Sequence, residues 1–201
     1  MNVLAIGAHP DDIEIGAGGT MARHVANGDN VHFLVMTYGE RSSPKISVRK
    51  REAKKSKNIV GASSLNFANI PDCEVTDGVD TILKIEEIIK KIQPQRVYTH
   101  CTKDSHQDHR YTAYATISAA RRVPEVLSYE SPLTYPTFNP QIFMDITSYI
   151  ETKKKAIMSY KSQVGKRYTS TDAIEGLAKF RGFQAGVLYA EAFEVITFVL
   201  R

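Results

Sequence analysis

The fold is decided by residues 3–19, which read VLAIGAHPDDIEIGAGG. The first part is almost wholly apolar, as is typical of a strand that is buried on both faces of a sheet. It ends in His9, Asp11 and Asp12, and a glycine-rich turn then leads towards a helical pattern. A strand, a polar loop and a helix open a βαβ unit, in which ligands bind beyond the carboxyl ends of the strands. We therefore expect these three polar residues at an active site.

Strands and helices alternate along the rest of the first 130 residues. This alternation predicts an α/β protein with a parallel, doubly wound sheet that carries helices on both faces. Beyond residue 131 three prolines loosen the pattern. The predicted strands are 3–8, 31–37, 65–67, 95–100, 126–130, 142–146 and 193–200; the predicted helices are 20–26, 48–60 with Ser47 as cap, 79–92, 111–121, 148–160 and 173–183; the main predicted loops are 38–46 and 162–171.

The composition indicates an ordinary globular protein of one domain. The chain has 201 residues, of which 42% are hydrophobic and 24% are charged. The net charge is +4, and the basic residues are scattered apart from a cluster over 45–57, so we expect no nucleic-acid partner. Two cysteines, Cys73 and Cys101, make no disulfide framework. Because no signal peptide and no membrane-length apolar run are visible, we expect a cytoplasmic protein without a membrane span.

A second polar loop follows the fourth predicted strand. Residues 101–109 read CTKDSHQDH and carry His106 and His109. Because parallel strands end at the same edge of a sheet, we expect this loop to meet the first one. His9, Asp12 and one of the two later histidines then form a set of two imidazoles and one carboxylate. Three protein ligands with an open position indicate a catalytic metal. Zn²⁺ fits this set, and Fe²⁺ uses the same ligands.

Other interpretations stay open on the residues alone. The two aspartates of the first loop could act only as helix caps, and the two histidines of the second could lie in a solvated loop. A nucleotide-binding βαβ unit is disfavoured, because GAGG over 16–19 lacks the G-x-G-x-x-G spacing. His100, at the end of the strand before the second loop, is a candidate to support a metal ligand from behind.

Both loops resemble motifs of a known family. AHPDD over 8–12 and HQDH over 106–109 resemble the LmbE-like or PIG-L family of zinc-dependent N-acetylglucosaminyl deacetylases. The resemblance implies a Rossmann-like three-layer α/β sandwich with a mostly parallel sheet, the LmbE-like fold. It implies one domain over 1–201, with a parallel core at 1–130 and a C-terminal extension at 131–201 that completes the site. Other similar segments are GER at 39–41, Arg49 with EA at 52–53 and Gly61, YKSQ at 160–163 and GVLYAEAF at 186–193.

The resemblance also implies a metal site. By it, His9, Asp12 and His109 are the ligands of one Zn²⁺ per chain, with Fe²⁺ as the alternative ion. Zinc lowers the pKa of bound water towards ~7, which makes hydroxide available at neutral pH. Asp11 is then the general base that takes the proton as this water attacks the acetyl carbonyl.

The remaining implied roles concern the transition state and the substrate. By the resemblance, His106 in protonated form stabilises or protonates the tetrahedral species, and Asp108 orients His106. Arg49 contacts the substrate. Glu40 and Arg41, in the loop that resembles the family's own, are further substrate-binding candidates.

The implied activity is removal of the acetyl group from an N-acetylated amino sugar in a small-molecule conjugate of the N-acetylglucosamine type. One alternative keeps the family but cleaves another amide, such as that of a thiol-sugar conjugate. A second alternative is a sugar-binding protein without activity, against which the intact Asp11 and His106 argue. The resemblance further implies a homo-oligomer, either a trimer or a hexamer.

Overall fold

The computed structural model describes residues 1–42 and 45–199, which form a seven-stranded sheet flanked by helices. Three short 3₁₀ turns lie at Glu40–Ser42, Lys161–Gln163 and Arg167–Thr169. The strands are β1 (Asn2–Gly7), β2 (Asn30–Val35), β3 (Ser64–Phe67), β4 (Arg96–His100), β5 (Glu125–Tyr129), β6 (Ile142–Asp145) and β7 (Ala190–Phe198); the helices are α1 (Asp12–Ala26), α2 (Ile46–Val60), α3 (Val79–Ile92), α4 (Gln107–Ala119), α5 (Ile150–Ile157) and α6 (Thr171–Ala185).

The strand order is β3-β2-β1-β4-β5-β7-β6. The first five strands are parallel, whereas β7 runs antiparallel to both β5 and β6. In the register of the centre, Val3 of β1 lies opposite Val31 of β2 on one side and Arg96 of β4 on the other. The predicted mostly parallel α/β sheet is confirmed. The antiparallel strand pairs all involve β7, in the C-terminal part where the sequence pattern is loose.

Helices cover both faces of the sheet, as the apolar strands require. On one face, Val3 and Ala5 belong to a core cluster that includes residues of α1, α2 and α5. On the other face, Leu4 and Ile6 pack with residues of α3 and α4. Successive side chains of a strand point to opposite faces, so a continuous apolar run fills two cores at once. The three-layer arrangement is thereby confirmed.

Helix α1 begins at Asp12, eight positions before its predicted start. The glycines at 16, 18 and 19 therefore lie inside the helix and form no turn. They permit close packing, since an added Cβ at Gly16 would overlap the ring of Tyr129 and one at Gly19 would lie 2.8 Å from Ile146. The helix is kinked at Ala17, whose φ is −141°. The glycines were misread because close helix packing and a flexible turn leave the same signal in a sequence.

Other element boundaries also differ from the prediction; α5, for example, spans Ile150–Ile157 rather than 148–160. Helix α4 begins four residues early, so the second loop is shorter than expected and His109 lies in the first helical turn. The N-cap position of helix α2 is Lys45 rather than Ser47, and the side chain of Lys45 makes no capping hydrogen bond. The predicted loop 162–171 contains two of the 3₁₀ turns. Strand β7 starts at Ala190 rather than at 193. Two parts of the predicted elements lie outside the described residues: residue 200 of the last strand, and residues 43 and 44 of the loop 38–46.

Candidate metal centre

The candidate site lies at the carboxyl edge of the parallel strands. Strands β1 and β4 are neighbours, so the loops that follow them meet, as the sequence predicted. A cavity of about 300 Å³ opens between these loops. Its walls include the polar residues His9, Asp11, Asp12, Arg41, Ser42, Arg49, Asp72, His106, His109, Ser131 and Tyr168, together with Ile15, Cys73, Pro132 and Leu133.

His9, Asp12 and His109 present one ligand atom each, and these atoms lie within 4.8 Å of one another. Nδ1 of His9 is 3.3 Å from Oδ2 of Asp12, and Nε2 of His109 is 3.4 Å from Oδ1 of the same carboxylate. Asp12 therefore lies between the two imidazoles. Two imidazole nitrogens and one carboxylate form a donor set that suits zinc or ferrous iron. The residues present thus fit a catalytic metal with three protein ligands.

Asp12 and His109 are polarised towards their charged forms. Burial opposes ionisation of Asp12, but the charge of His109 and the hydrogen bonds from His100 and His109 outweigh it and hold the pKa of this carboxyl well below its usual range. Burial also acts to lower the pKa of His109, yet the carboxylates of Asp12 and Asp104 raise it to about 9. The carboxylates that would bind or support a metal cation therefore dominate the electrostatics of this cluster.

Asp11 occupies a strained position beside the ligands. It is the N-cap of α1 and has φ of 107°, a left-handed conformation that is costly for a residue other than glycine. Asp11 is 4% exposed, and its Oδ2 lies 3.4 Å from Nη2 of Arg49. Burial raises the pKa of Asp11 to about 7, against the lowering effect of Arg49. Strain of this kind is typical of functional sites.

Asp104 supports the candidate metal ligand His109 and has no role in the sequence prediction. Its Oδ2 lies 3.1 Å from Nδ1 of His109 and also accepts from the hydroxyl of Ser131 at 2.5 Å. Its Oδ1 accepts the backbone N–H of His106. A carboxylate behind a ligating histidine fixes the orientation of the ring. The available signal was the position of Asp104 in the same loop, five residues before His109.

His100 supports Asp12, as proposed from its position at the end of β4. Its Nε2 lies 3.1 Å from Oδ2 of Asp12 and 3.1 Å from the backbone N of Ala8. The ring stacks on His109 with 4.0 Å between centroids. Burial and the charge of His109 lower the pKa of His100 to about 4, so this fully buried imidazole is neutral.

His106 caps helix α4. Its Nδ1 accepts the backbone N–H of Asp108 at 3.2 Å. In the neutral imidazole the proton is then on Nε2, which makes this nitrogen a donor. Burial, with the charges of His109 and His9, lowers the pKa of His106. The structure therefore favours a neutral donor at this position, whereas the sequence predicted a protonated His106.

The carboxylate of Asp108 does not orient His106, which corrects the sequence prediction. Oδ2 of Asp108 accepts the backbone N–H of Cys73 at 2.8 Å and lies 3.3 Å from Nε2 of His9. The side chain of Asp108 faces His9, and only the backbone N–H of Asp108 hydrogen-bonds to His106. Asp72 lies on the same nitrogen of His9 at 3.1 Å, so two carboxylates support that ring.

Of the three predicted substrate-binding residues, two line the cavity and one does not. Arg49 is 1% exposed and donates to the backbone O of Pro10 at 2.5 Å, while its Nε and Nη1 have no hydrogen-bond partner. Arg41 lines the cavity and donates from Nε to the backbone O of Asp72. Glu40 is absent from the wall, and its Oε1 accepts the backbone N–H of Asp72 at 2.8 Å. Glu40 thus holds the loop that carries Asp72, a residue that the sequence analysis did not single out.

The similarity of this chain to a known protein family agrees with its two loop motifs. Residues 4–120 match the model of the family described as PIG-L, GlcNAc-PI de-N-acetylase. The chain belongs to this family. The resemblance of the two loop motifs is thereby confirmed, and the matched residues include all of the candidate metal ligands.

The relatives of this PIG-L family member include proteins named as deacetylases and one named as a hydratase. Escherichia coli strain K12 has a protein named as the uncharacterized deacetylase YaiS, which is 36% identical over 80% of this chain and 90% of its own length. The structure of N,N'-diacetylchitobiose deacetylase from Pyrococcus horikoshii has a TM-score of 0.86 and 25% identity, over 97% of this chain and 83% of that one. The 4-oxalmesaconate hydratase of Pseudomonas putida strain KT2440 is 25% identical over 97% of this chain and 89% of its own.

Proposed function

We propose that the protein is a metal-dependent hydrolase that removes the acetyl group from an N-acetylated amino sugar in a small-molecule conjugate. The observation that carries this proposal is the cluster of His9, Asp12 and His109 with Asp11 in one cavity of a PIG-L family member. The names of relatives as deacetylases support the reaction class. The cavity is large enough for a sugar with its acetamido group.

His9, Asp12 and His109 would hold the metal, for which we propose zinc, with ferrous iron as the alternative. Zinc bound there would supply a water of lowered pKa and would polarise the acetyl carbonyl. Asp72 and Asp104 keep the two imidazoles oriented, and His100 holds Asp12. These supports fix the positions of the ligand atoms before any ion arrives.

Asp11 is the proposed general base. It lies next to Asp12 in the chain and lines the same cavity, so its carboxylate would be placed to accept a proton from a water bound beside the ligand set. Arg49 lies against Asp11 on the protein side. The proton that Asp11 accepts from water is then available for the amine that leaves. Such a base contributes typically 10²–10⁴-fold to a rate.

His106 is the proposed donor to the oxyanion. Its Nδ1 is occupied by the Asp108 backbone N–H, so its Nε2–H is the donor on a ring that lines the cavity. Loss of one such donor costs about 10²–10³ in kcat where it has been measured in other enzymes. Asp108 would act through His9, whose Nε2 it contacts.

Arg49 and Arg41 are the proposed contacts for the sugar. Arg49 lies in the wall of the cavity, and its buried Nε and Nη1 have no hydrogen-bond partner, so a bound polar group would satisfy them. Glu40 would act only by holding Asp72 in place. We also propose one domain over 1–201, because Ser131, Leu133 and Tyr168 of the extension 131–201 lie in the wall of the site.

An assay of acetate and free amine with a panel of N-acetylated sugars, free and linked to other groups, tests this proposal. Release of acetate with an equal amount of amine is the expected result. Release of a different acid with the amine would indicate cleavage of another amide, such as that of a thiol-sugar conjugate. Hydration of 4-oxalmesaconate without any amide hydrolysis would indicate the hydratase chemistry named for the Pseudomonas relative. Bound zinc without any turnover would indicate a sugar-binding protein.

We further propose a cytoplasmic homo-oligomer, a trimer or a hexamer. No described helix is both long and apolar enough to cross a membrane. Cys73 and Cys101 are free thiols, which agrees with a reducing compartment. At the end of α6, Phe183 is 86% exposed and Leu188 lies near it in sequence at 71%, which supports a surface for self-association. Light scattering that gives a monomer mass would refute the oligomer.

A further inference from the structure

A second cavity of about 520 Å³ adjoins the candidate metal centre. The two cavities share four wall residues, namely Ile15, Pro132, Leu133 and Tyr168. The two cavities are therefore neighbours, and a conjugate bound at the metal centre would extend past these side chains to enter the second one. The volume is in the range of ordinary small-molecule sites. This cavity, which we call the side cavity, lies between α1, β7 and α6, away from the candidate metal ligands.

The wall of the side cavity is mostly carbon. Besides the four shared residues, it includes Gly16, Ala173, Ile174, Leu177, Ala178, Ala190 and Ala192. Surface of this kind gains free energy when it contacts an apolar group, at about 25 cal/mol per Å². Two of these residues, Leu177 and Leu133, are also among the more exposed large apolar side chains of the described chain, at 37% and 46%. A ligand would therefore cover apolar surface that now faces water.

Most charges in this wall are already neutralised. Lys153 and Glu191 form a buried ion pair, and Glu191 also accepts two backbone N–H groups of α1. Arg181 binds both carboxylate oxygens of Glu130 at 2.7 Å. Among the described residues, the exposed Arg167 has no carboxylate within 4.0 Å. Paired charges offer little to a polar ligand, so apart from Arg167 at its exposed edge the wall favours carbon.

We propose that the side cavity binds an apolar aglycone, so that the substrate is an N-acetylated amino sugar joined to an aliphatic or aromatic group. This inference rests on the proposed function, because it places the acetamido group at the metal centre. A second sugar ring would instead bring hydroxyl groups against Ile174 and Leu177, which offer no partners for hydrogen bonds. The apolar conjugate is therefore the substrate class that the wall favours.

The test compares methyl, butyl and hexyl glycosides of N-acetylglucosamine. Each methylene that is fully buried is worth about fourfold in binding, so kcat/KM rises at least about tenfold from methyl to hexyl. Isothermal titration of the chelator-treated protein with the same glycosides measures affinity without turnover. The same order of affinity is expected there. Equal kcat/KM and equal affinity for the methyl and hexyl glycosides would overturn the inference.

Ala173→Phe tests whether the side cavity is responsible. Ala173 is exposed and lies in the wall near the start of α6, where a phenyl ring occupies space within the cavity without entering the core. The ratio of hexyl to methyl kcat/KM falls towards one in this variant. Ala185→Phe is the matched control, since Ala185 is exposed on the same helix and is absent from the wall. An unchanged ratio in Ala173→Phe would contradict the assignment.

The two proposals fail in different ways. If no glycoside releases acetate while the hexyl glycoside still binds more tightly than the methyl one, the deacetylase proposal fails and the side cavity is retained. If all glycosides release acetate at one rate and bind equally, the side cavity fails and the deacetylase proposal is retained.

Discussion

Nδ1 of His109 lies 3.1 Å from Oδ2 of Asp104, and Nε2 of the same ring lies 3.4 Å from Oδ1 of Asp12. The imidazole is thus held on one side by a carboxylate that is fully buried and faces the ligand set on the other. An arrangement of carboxylate, imidazole and metal fixes the ring and raises the basicity of the ligating nitrogen. If His109 is a metal ligand, as we propose, Asp104 should determine how well it binds the metal.

Asp104→Asn should weaken metal binding by about 10–100-fold, because the neutral amide no longer polarises His109. Competition with a chromophoric chelator measures the affinity for zinc. Asp145→Asn is the control, since Asp145 caps Thr147 at the end of β6 and does not line the metal cavity. Equal zinc affinity in Asp104→Asn and the wild type would show that this carboxylate has no part in the site.

Gly16→Ala should destabilise the protein by about 1–3 kcal/mol, the usual effect of overpacking. The new methyl group would overlap the ring of Tyr129, whose hydroxyl donates to the backbone O of Ile6 and cannot move freely. Gly176→Ala is the matched control in α6, where nothing lies within 4 Å of the added carbon. It should stabilise by about 0.5–1 kcal/mol through helix propensity. Urea midpoints measure both, and a stabilised Gly16→Ala would refute the packing.

Lys153→Met should cost about 3–5 kcal/mol, because it leaves the carboxylate of Glu191 buried without a counter-charge. Lys153 also donates to the backbone O of Ile15 at 2.6 Å, and this bond is lost as well. The double variant Lys153→Met with Glu191→Gln removes the unpaired charge, so it should be less destabilised than Lys153→Met. Denaturant unfolding of the three variants checks this, and a double variant less stable than the single one would contradict it.

His24 should make stability depend on pH. His24 is buried, and burial lowers its pKa. The charges of Arg96 and Arg23 also lower this pKa, whereas Asp29 raises it. The hydroxyl of Tyr98 contacts Nε2 of the ring. The unfolded chain therefore binds this proton more readily, so stability falls as the pH drops through the unfolded pKa near ~6.5.

His24→Gln should reduce the loss of stability between about pH 7.5 and pH 5.5, a window that brackets the unfolded pKa. The comparison uses urea midpoints of the variant and the wild type at both values. An identical loss in the two proteins would mean that His24 does not contribute in this range.

The alternation of strands and helices predicted most of the parallel layer, because a buried parallel strand needs apolar side chains on both faces. Val3–Ile6 illustrate this, since successive residues enter opposite cores. The helix start at Asp12 was not predictable, because the glycines that pack α1 on Tyr129 and Ile146 look like a turn in the sequence. Only the tertiary contact distinguishes the two uses of glycine.

The sequence also predicted that the two polar loops meet, because neighbouring parallel strands end at one edge. It could not predict that Asp104 and Asp72 support the histidines, since these contacts depend on the path of the loops. The prediction that the Asp108 side chain orients His106 was wrong for the same reason. Spacing along a chain indicates which loops meet, whereas rotamers decide which atoms touch.

The measurement that tests the central claim most directly is acetate release by Asp11→Asn and the wild type, with zinc content determined on the same samples. The wild type should bind one zinc per chain and release acetate from an N-acetylated amino sugar. Asp11→Asn should keep its zinc, because Asp11 is not in the ligand set, and should lose about 10²–10⁴-fold in kcat. Acetate release at the wild-type rate by zinc-loaded Asp11→Asn would contradict the role of Asp11 as the base.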